Sequence, residues 1–234
     1  MEEIKRIEEA YERRDRQNKK TLYSLFNTAS LFAEQEKERA ILSSFRAAGI
    51  NCLSAARILE VGCGNGSVLR KLMGFGASPE NCFGIDLLAG KIEEARRLSP
   101  NMDFRCGNAE RLPYSNGSFD MILCFTVFSS IFDRTMKRNL ALEMGRVLGP
   151  EGLILWYDFH VDNPKNRDVR GIRKRELRAL FHGFQIRLRR ITLAPPLARA
   201  LAPHLWLFCY LLERLKVFNT HYICVIKKGF WTKR

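Results

Sequence analysis

Three glycines alternate in the stretch ILEVGCGNGSVLRKL, directly after a short apolar run. Glycine-rich turns between a strand and a helix leave backbone room for a ligand, most often a phosphate group. The dinucleotide fingerprint GxGxxG needs its third glycine five residues after the first, but Ser67 stands five residues after Gly62. The spacing of Gly62, Gly64 and Gly66 therefore argues against a dinucleotide.

Two carboxylates near this turn suit a cationic ligand that carries a ribose. Glu60 stands two residues before the first glycine, where it would repel a pyrophosphate but attract an amine. Asp86 ends a second apolar run, where its oxygens can accept hydrogen bonds from ribose hydroxyls. A ribose, an ammonium group and no phosphate together describe S-adenosylmethionine. We expect this cofactor, with S-adenosylhomocysteine as its product.

Alternating strand and helix patterns surround these residues. The apolar spacing in residues 1–48 predicts helix, and Gly49 predicts its end. Strands are predicted over residues 57–61, 82–86, 102–106, 119–125, 152–158, 184–193 and 220–228. Helices are predicted over residues 66–73, 89–98, 134–148 and 173–181, with a helical pair over 197–217. This alternation is typical of an α/β fold with a mostly parallel sheet covered on both faces.

Length and composition favour one soluble domain. The chain has 234 residues, of which 46% are hydrophobic, and no apolar run approaches the roughly 20 residues that span a bilayer. The start of the chain lacks the apolar core of a signal peptide. Seven cysteines form neither a CxxC pair nor a Cys/His cluster, so we expect no metal and no disulfide framework. These features favour a cytoplasmic protein.

The net charge of +14 is concentrated in the C-terminal part of the chain. Residues 1–150 carry 22 basic and 19 acidic side chains, whereas residues 151–234 carry 17 and 6. This excess predicts an anionic partner, and a solvated basic face that aids solubility is the alternative. Arg167, Arg170 and Arg173 follow the predicted fifth strand and are candidates for binding an anionic group of the substrate.

The motifs over about residues 57–158 resemble those of class I S-adenosylmethionine-dependent methyltransferases. They are LEVGCGNG, GIDLLAGKIEEAR, CGNAERLPYSNGSFDMILC and MGRVLGPEGLILWY, in that order. The similarity is to the small-molecule branch with the ubiquinone-biosynthesis, natural-product and saccharide O-methyltransferases. It implies a Rossmann-like, seven-stranded, mostly parallel sheet with an antiparallel last strand. It also implies an N-terminal helical cap over residues 1–50 and a domain over 51–234, with a helical insertion at about 195–218.

The resemblance also implies roles for individual residues. Glu60 would order the amino group of the cofactor, Asp86 would bind the ribose, and Leu87 would lie against the adenine. Asn108 stands where the family usually has Asp, and its amide would meet the adenine edge. The full set of cofactor-binding residues implied in this way is Glu60, Gly62, Cys63, Gly64, Gly66, Asp86, Leu87, Asn108, Ala109, Glu110, Phe125 and Thr126.

The catalytic group is the least determined part of the site. Many relatives place a histidine after the fourth strand, where this chain has Ser129 and Ser130. The substitutes that follow the fifth strand are Asp158 and His160, because an Asp two residues from a His on an extended segment shares its face and can orient it. An ordinary loop histidine, with catalysis by alignment alone, is the alternative. His221 is a weaker candidate.

The expected acceptor is a small molecule or saccharide with an anionic group, methylated on oxygen. Nucleic acid is disfavoured, because CFTVF stands where enzymes that methylate base amino groups carry [DN]PP[YF]. An RNA methyltransferase and a noncatalytic S-adenosylmethionine-binding protein remain as alternatives. Residues 197–218 contain a helix that is apolar on nearly every side, beginning at Pro203. Burial as a lid or in a homodimer is expected for it, and docking at the inner membrane surface is the alternative.

Overall fold

The computed structural model describes residues 2–16, 24–164 and 166–229. Its helices are α1 (Glu2–Arg16), α2 (Thr28–Ala47), α3 (Ser67–Met73), α4 (Ala89–Leu98), α5 (Arg134–Val147), α6 (Lys174–Leu180), α7 (Pro195–Leu201) and α8 (Trp206–Arg214). Its strands are β1 (Ile58–Val61), β2 (Cys82–Asp86), β3 (Asp103–Cys106), β4 (Phe119–Phe125), β5 (Leu148–Phe159), β6 (Phe184–Leu193) and β7 (Asn219–Lys228).

The seven strands form one sheet in the order β3-β2-β1-β4-β5-β7-β6. The pairs from β3 to β5 are parallel, whereas β7 lies antiparallel between β5 and β6. Helices cover both faces, and two apolar clusters lie between the helices and the sheet. The predicted Rossmann-like fold with an antiparallel last strand is confirmed.

The burial of each strand follows from its place in the sheet. All four residues of β1 and six of the seven in β4 are buried, as expected for central parallel strands covered on both faces. Along the edge strand β6, partly buried residues alternate with exposed ones from Phe184 to Arg189, so this strand faces solvent on one side. The central strands therefore form a rigid base for the loops at their carboxyl ends.

The helix predicted over residues 1–48 is interrupted. Residues 24–27 form a turn, and the Asn27 side chain accepts hydrogen bonds from the backbone N–H groups of Ala29 and Ser30, which begins α2. Part of the predicted helix, residues 17–23, lies outside the described residues. Gly49 has a φ of +84° just after α2, as expected of a glycine that ends a helix.

The C-terminal helical pair also differs in detail from the prediction. The second helix begins at Trp206 rather than at Pro203. On its inner face Cys209 is buried, and Trp206 packs edge to face on Phe32 of α2 with ring centres 5.1 Å apart. On its outer face Leu207 is 70% exposed, so the described part of the chain buries only the inner face of this helix, and its role as a lid or homodimer contact stays a prediction. Of the described helices, none combines the length and apolar composition needed to cross a bilayer.

Candidate functional site

A cavity of about 490 Å³ lies at the carboxyl ends of β1, β2 and β4. This is the edge where open α/β sheets bind ligands, because the glycine-rich turn and the helix starts meet there. Of the predicted cofactor-binding residues, all except Gly66 line this cavity. Helices α1 and α2 add lining side chains that the sequence did not single out, namely Ile7, Tyr11, Arg14, Glu34 and Lys37.

The glycine turn after β1 is held against β2 by its own backbone. The N–H groups of Gly62 and Cys63 both donate to the Ile85 carbonyl, at 2.8 and 3.1 Å. Gly62 has a φ of +72°, and a Cβ there would collide with Val127. Gly64 has a φ of +52° and open space around its Cα, so a side chain at this position would project into unfilled volume. The turn therefore depends on glycine for its backbone shape.

Gly66 does not line the cavity and has a structural role in the turn instead. It precedes α3 with a φ of +76°, and a Cβ there would lie 2.7 Å from the Phe104 ring. Its predicted contact with the cofactor is therefore not supported by the geometry. The glycine is needed because the turn packs directly on an aromatic ring of β3.

Asp86 ends β2 and joins the turn to the next helix. Its Oδ2 accepts the N–H of Gly64 at 2.8 Å, and its Oδ1 accepts the N–H of Leu88 at 2.9 Å. Burial raises the pKa of this carboxyl, although these two hydrogen bonds act in the opposite direction. Each oxygen keeps acceptor capacity for a ligand, so Asp86 can take a pair of hydroxyls from the cavity side.

Glu60 is the buried acid at the end of β1. It is 2% exposed, and burial raises the pKa of its carboxyl well above the usual range. Its Oε2 has no hydrogen-bond partner among the described residues, although Glu60 lines the cavity. A buried oxygen without a partner is costly, and an ammonium group bound in the cavity would satisfy it.

Lys37 of α2 supplies the opposite charge in the same cavity. Its Nζ lies 2.6 Å from Glu34 Oε1, and its charge acts on Glu60 to lower the pKa that burial raises. A carboxyl group and an ammonium group in one cavity are complementary to a zwitterionic amino acid, because a bound ammonium group lowers the pKa of the buried carboxyl and favours its ionised form. The methionine part of S-adenosylmethionine has that charge pattern, so the residues present fit this cofactor.

The turn after β3 contains the other predicted adenine contacts. The Asn108 Oδ1 accepts the N–H of Glu110 at 2.9 Å, while its Nδ2 donates to Glu110 Oε2 at 2.9 Å. The Asn108 amide thus shapes the turn instead of pointing both of its polar atoms at a ligand. Ala109 and Leu87 line the cavity and pack on the neighbouring apolar cluster.

A residue with a strained backbone follows β4 at the cavity. Thr126 has a φ of +57°, which a β-branched residue rarely adopts. Its N–H donates to the Tyr157 carbonyl at 2.7 Å, which ties the ends of β4 and β5 together. Strain of this kind costs ~1–3 kcal/mol and is concentrated at functional sites. Phe125 and Tyr157 line the cavity beside it.

Helix α1 is attached across the mouth of the cavity. Its Glu3 accepts the backbone N–H of Phe132, and its Asp15 pairs with Lys91 of α4 at 2.9 Å. Arg13, also in α1, pairs with Asp168 in the loop after β5 at 2.9 Å. These contacts hold Ile7 and Tyr11 over the cavity, where they exclude water.

Asp158 and His160 do not form the expected pair. The Asp158 carboxylate accepts the backbone N–H groups of Ser129 and Phe159, at 3.0 and 2.8 Å. The His160 Nε2 lies 2.8 Å from the Asn219 carbonyl, and the ring stacks on Tyr222. The strand ends at Phe159, so the alternation of faces does not extend to His160.

Neither member of this expected pair lines the cavity. Burial raises the pKa of Asp158 to about 6 and lowers the pKa of His160. His221 is also outside the lining, and its ring stacks on Tyr157 with centres 4.7 Å apart. Burial lowers the pKa of His221 to about 3, so its imidazole stays neutral.

The three predicted substrate arginines lie outside the cavity lining as well. Arg173 donates to the His160 carbonyl at 2.7 Å and pairs with Asp162. Arg170 lies over the Phe132 ring, with its guanidinium carbon 4.4 Å from the ring centre. Arg167 is exposed. In the described residues, no group of three or more His, Cys, Asp or Glu side chains is arranged to hold a metal ion.

The comparisons with known proteins agree with this geometry. Residues 58–152 match the protein family described as "Methyltransferase domain". This match, together with the sheet order and the cavity, supports a class I S-adenosylmethionine-dependent methyltransferase domain over those residues. S-adenosylmethionine is the cofactor of this family. The matched residues of the methyltransferase domain run from the start of β1 into β5 and include the glycine turn and Asp86.

Relatives and solved structures extend the comparison of the methyltransferase domain. The chain is 38% identical over 122 residues to phthiotriol/phenolphthiotriol dimycocerosates methyltransferase 1 of Mycobacterium ulcerans, covering 47% of this chain and 40% of that relative. The match thus spans less than half of the relative. A putative sarcosine dimethylglycine methyltransferase from Galdieria sulphuraria superposes with a TM-score of 0.62 at 18% identity, covering 82% and 85% of the two chains. The [4+2]-cyclase SpnF superposes with a TM-score of 0.57 at 19% identity, covering 83% and 82%.

Proposed function

We propose that this chain is a methyltransferase that moves the methyl group of S-adenosylmethionine to an oxygen of a small-molecule or lipid-type acceptor. The observation that carries the proposal is Glu60 Oε2, a buried acceptor with no partner in the described residues, on a residue that lines the cavity. An ammonium group of the cofactor is its natural partner, and the nearby Lys37 suits the carboxylate of the same amino acid.

The residues around the cavity divide into two roles. When bound, S-adenosylmethionine supplies an electrophilic methyl group on a sulfonium. Glu60 and Lys37 would hold the amino acid end, and Asp86 would hold the ribose. Tyr11 and Ile7 of α1 would cover the bound molecule and exclude water, so that the acceptor oxygen is the nucleophile closest to the methyl group.

Catalysis by alignment fits this cavity better than catalysis by a histidine base. No histidine belongs to the described lining. Burial pushes the pKa of Glu34 upward, but Lys37 and Lys71 outweigh it and hold that pKa below the usual range. The Glu34 carboxylate would therefore orient the hydroxyl of the methyl acceptor by accepting a hydrogen bond from it. It would not act as a general base that removes the hydroxyl proton.

The acceptor is the least constrained part of the proposal. The names of several relatives state phthiotriol and phenolphthiotriol dimycocerosates as the methylated molecules. A triol offers hydroxyl groups, which supports transfer to oxygen. An anionic group on the acceptor would suit the basic C-terminal part of the chain, where Arg167 and Arg170 are exposed.

Methyl transfer can be tested with S-adenosylmethionine that carries a labelled methyl group. The protein is incubated with long-chain diols, phenols and acidic saccharides, and with tRNA in a separate reaction. Label that enters a hydroxyl of a small acceptor, together with S-adenosylhomocysteine release, supports the proposal. Label found in tRNA overturns it in favour of an RNA methyltransferase.

A second candidate is a protein that binds S-adenosylmethionine without transferring its methyl group. It is favoured by the absence of a histidine from the described lining and by the likeness of the fold to a [4+2]-cyclase. Tight cofactor binding with no S-adenosylhomocysteine release from any acceptor would favour this alternative.

A further inference from the structure

Exposed apolar side chains gather on the outer side of α8 and on the segment after it. Among the described residues, twelve large apolar side chains are exposed, and seven of them lie between positions 205 and 218. We call these seven the α8 surface: Leu205, Leu207, Phe208, Leu211, Leu215, Val217 and Phe218. Soluble monomers rarely leave so many apolar side chains together, so this surface is expected to contact something other than water.

A second segment extends the same surface. Leu25 and Phe26 are 58% and 102% exposed, and they directly precede α2. The first turns of α2 pack on the α7–α8 pair, because Ala29 and Phe32 share an apolar cluster with Cys209. The start of α2 therefore packs on the inner face of the α7–α8 pair, next to the helix that carries the α8 surface.

The exposed charged side chains of residues 195–218 are all basic. Arg199, Arg214 and Lys216 are exposed, and they are the basic side chains of residues 195–218. The single acid of that range, Glu213, is 7% exposed and is bonded to Lys216 and Asn219. The α8 surface is thus apolar with a positive margin, which is complementary to a layer of apolar tails under negative headgroups.

We propose that the α8 surface docks on an anionic membrane surface. Its apolar side chains enter the lipid interface, and Arg199, Arg214 and Lys216 contact the headgroup phosphates. A second copy of the chain fits the α8 surface less well, because a twofold-symmetric dimer would bring the basic side chains of both copies together. The basic excess of residues 151–234, with 17 basic and 6 acidic side chains, adds long-range attraction to the same bilayer.

Helix α2 connects the proposed docking side with the cofactor cavity. Phe26 precedes its first turn, and Lys37, eleven positions later, lines the cavity. At the rise of an α-helix this separation is about 16 Å, which a lipid can span while its tail stays in the bilayer. The delivery of a bilayer-held acceptor rests on the proposed function, whereas docking itself does not.

Flotation with vesicles tests the docking. The full chain is mixed with vesicles of phosphatidylcholine alone, or of phosphatidylcholine with phosphatidylglycerol, and the floated fraction is measured at low and high salt. The test variant is Leu207→Asp/Leu211→Asp. The matched control is Leu142→Asp, because Leu142 on α5 is 60% exposed and lies outside the α8 surface. S-adenosylmethionine affinity, measured by calorimetry, reports that each variant is folded and that the cavity is intact.

We expect the protein to float with the anionic vesicles, about tenfold or more above its binding to neutral ones, and to be released by salt. Leu207→Asp/Leu211→Asp should lose this binding by about tenfold or more, whereas Leu142→Asp should keep it. The proposal is overturned if the protein stays in solution with both vesicles, or if the double variant floats like the parent. It is also overturned if sedimentation finds that the parent protein is a dimer and that the double variant is a monomer. The α8 surface is then a contact between two copies of the chain.

Discussion

The Asp86 carboxylate accepts the backbone N–H of Gly64 at 2.8 Å, which ties the end of β2 to the middle of the glycine turn. This bond places a carboxylate and a residue without a side chain on the same wall of the cavity. Two neighbouring parallel strands thereby set the distance between the proposed ribose site and the proposed methionine site. Hydrogen bonds hold both positions in the protein alone, which favours binding because little order must be imposed.

Gly64→Asp should abolish S-adenosylmethionine binding. The substituted side chain would occupy the space over the turn and would place a second carboxylate beside Asp86. Gly76→Asp is the matched control, because Gly76 has a φ of +92°, open space around its Cα and no place in the cavity lining. Calorimetry should find the affinity lost in the first variant and kept in the second. Equal affinity in both would show that the turn is not part of the site.

Lys37→Met should weaken S-adenosylmethionine binding by ~1.5–3 kcal/mol, the usual contribution of a hydrogen bond to a charged group. Lys71→Met is the control: Lys71 also pairs with Glu34, at 2.7 Å, but it does not line the cavity. Similar losses in the two variants would mean that Lys37 acts through Glu34 and not on the cofactor. Binding constants from calorimetry separate the two outcomes.

His160→Ala should change the rate of methyl transfer by less than about fivefold, because His160 lies outside the cavity lining. It should lower the thermal midpoint, since it removes the contact with the Asn219 carbonyl and the stack on Tyr222. A rate loss of about 100-fold with unchanged cofactor affinity would restore His160 as the general base.

Glu36→Gln should reduce the pH dependence of stability. Burial raises the pKa of Glu36 to about 8, and the neighbouring Glu213 acts in the same direction. In the unfolded chain this carboxyl loses its proton near pH 4–5, so the unfolded state binds fewer protons between that range and about pH 8. The free energy of unfolding of the parent protein therefore falls as pH rises through this window.

Urea unfolding at several pH values measures this effect. In the parent, Glu36 Oε1 accepts the N–H of Thr192 and Oε2 accepts the N–H of Leu193, and the amide introduced by Glu36→Gln keeps one of these two acceptors. The variant should therefore lose less stability than the parent between about pH 5 and about pH 8. Glu151→Gln, at an exposed position, is the control and should follow the parent. Parallel curves for the parent and Glu36→Gln would mean that Glu36 is ionised in the folded protein.

Local patterns in the sequence were sufficient to predict the sheet, and also the glycine turn and two carboxylates, Glu60 and Asp86, that line the cavity. The predicted bounds of the strands at 82–86 and 119–125 are those of β2 and β4, because continuous apolar runs between turn residues identify buried parallel strands. Glu60 and Asp86 could be found because each stands at the end of such a run, where side chains of a parallel sheet meet.

The contribution of α1 and α2 could not be read from the sequence in the same way. The regular spacing of charged residues in these two helices is typical of any helix exposed to solvent. Tyr11 and Lys37 reach the cavity only because contacts between residues far apart in the sequence hold the helices there. One such contact joins Arg6 to the Ser130 carbonyl, 124 positions apart. In the sequence, the nearby aromatic and basic residues Tyr11 and Arg14 were the feature that could have indicated a contribution of α1 to the cavity.

Which face of α8 is exposed could not be predicted from the sequence for a related reason. Apolar composition indicates that a helix needs a partner, but it does not say whether that partner belongs to the same chain. Glu213 illustrates this, since it is buried beside Glu36 and Asn219 while Leu211 of the same helix is 52% exposed.

The most direct test of the cofactor site is calorimetry of S-adenosylmethionine with the parent protein, Asp86→Ala and Asp86→Asn, and NAD as the competing ligand. We predict binding of S-adenosylmethionine and none of NAD, because the turn spacing lacks the dinucleotide pattern. Asp86→Ala should weaken binding by ~1.5–3 kcal/mol, and Asp86→Asn should lose less because it keeps one acceptor oxygen. Binding of NAD, or an unchanged S-adenosylmethionine affinity in Asp86→Ala, would contradict the assignment.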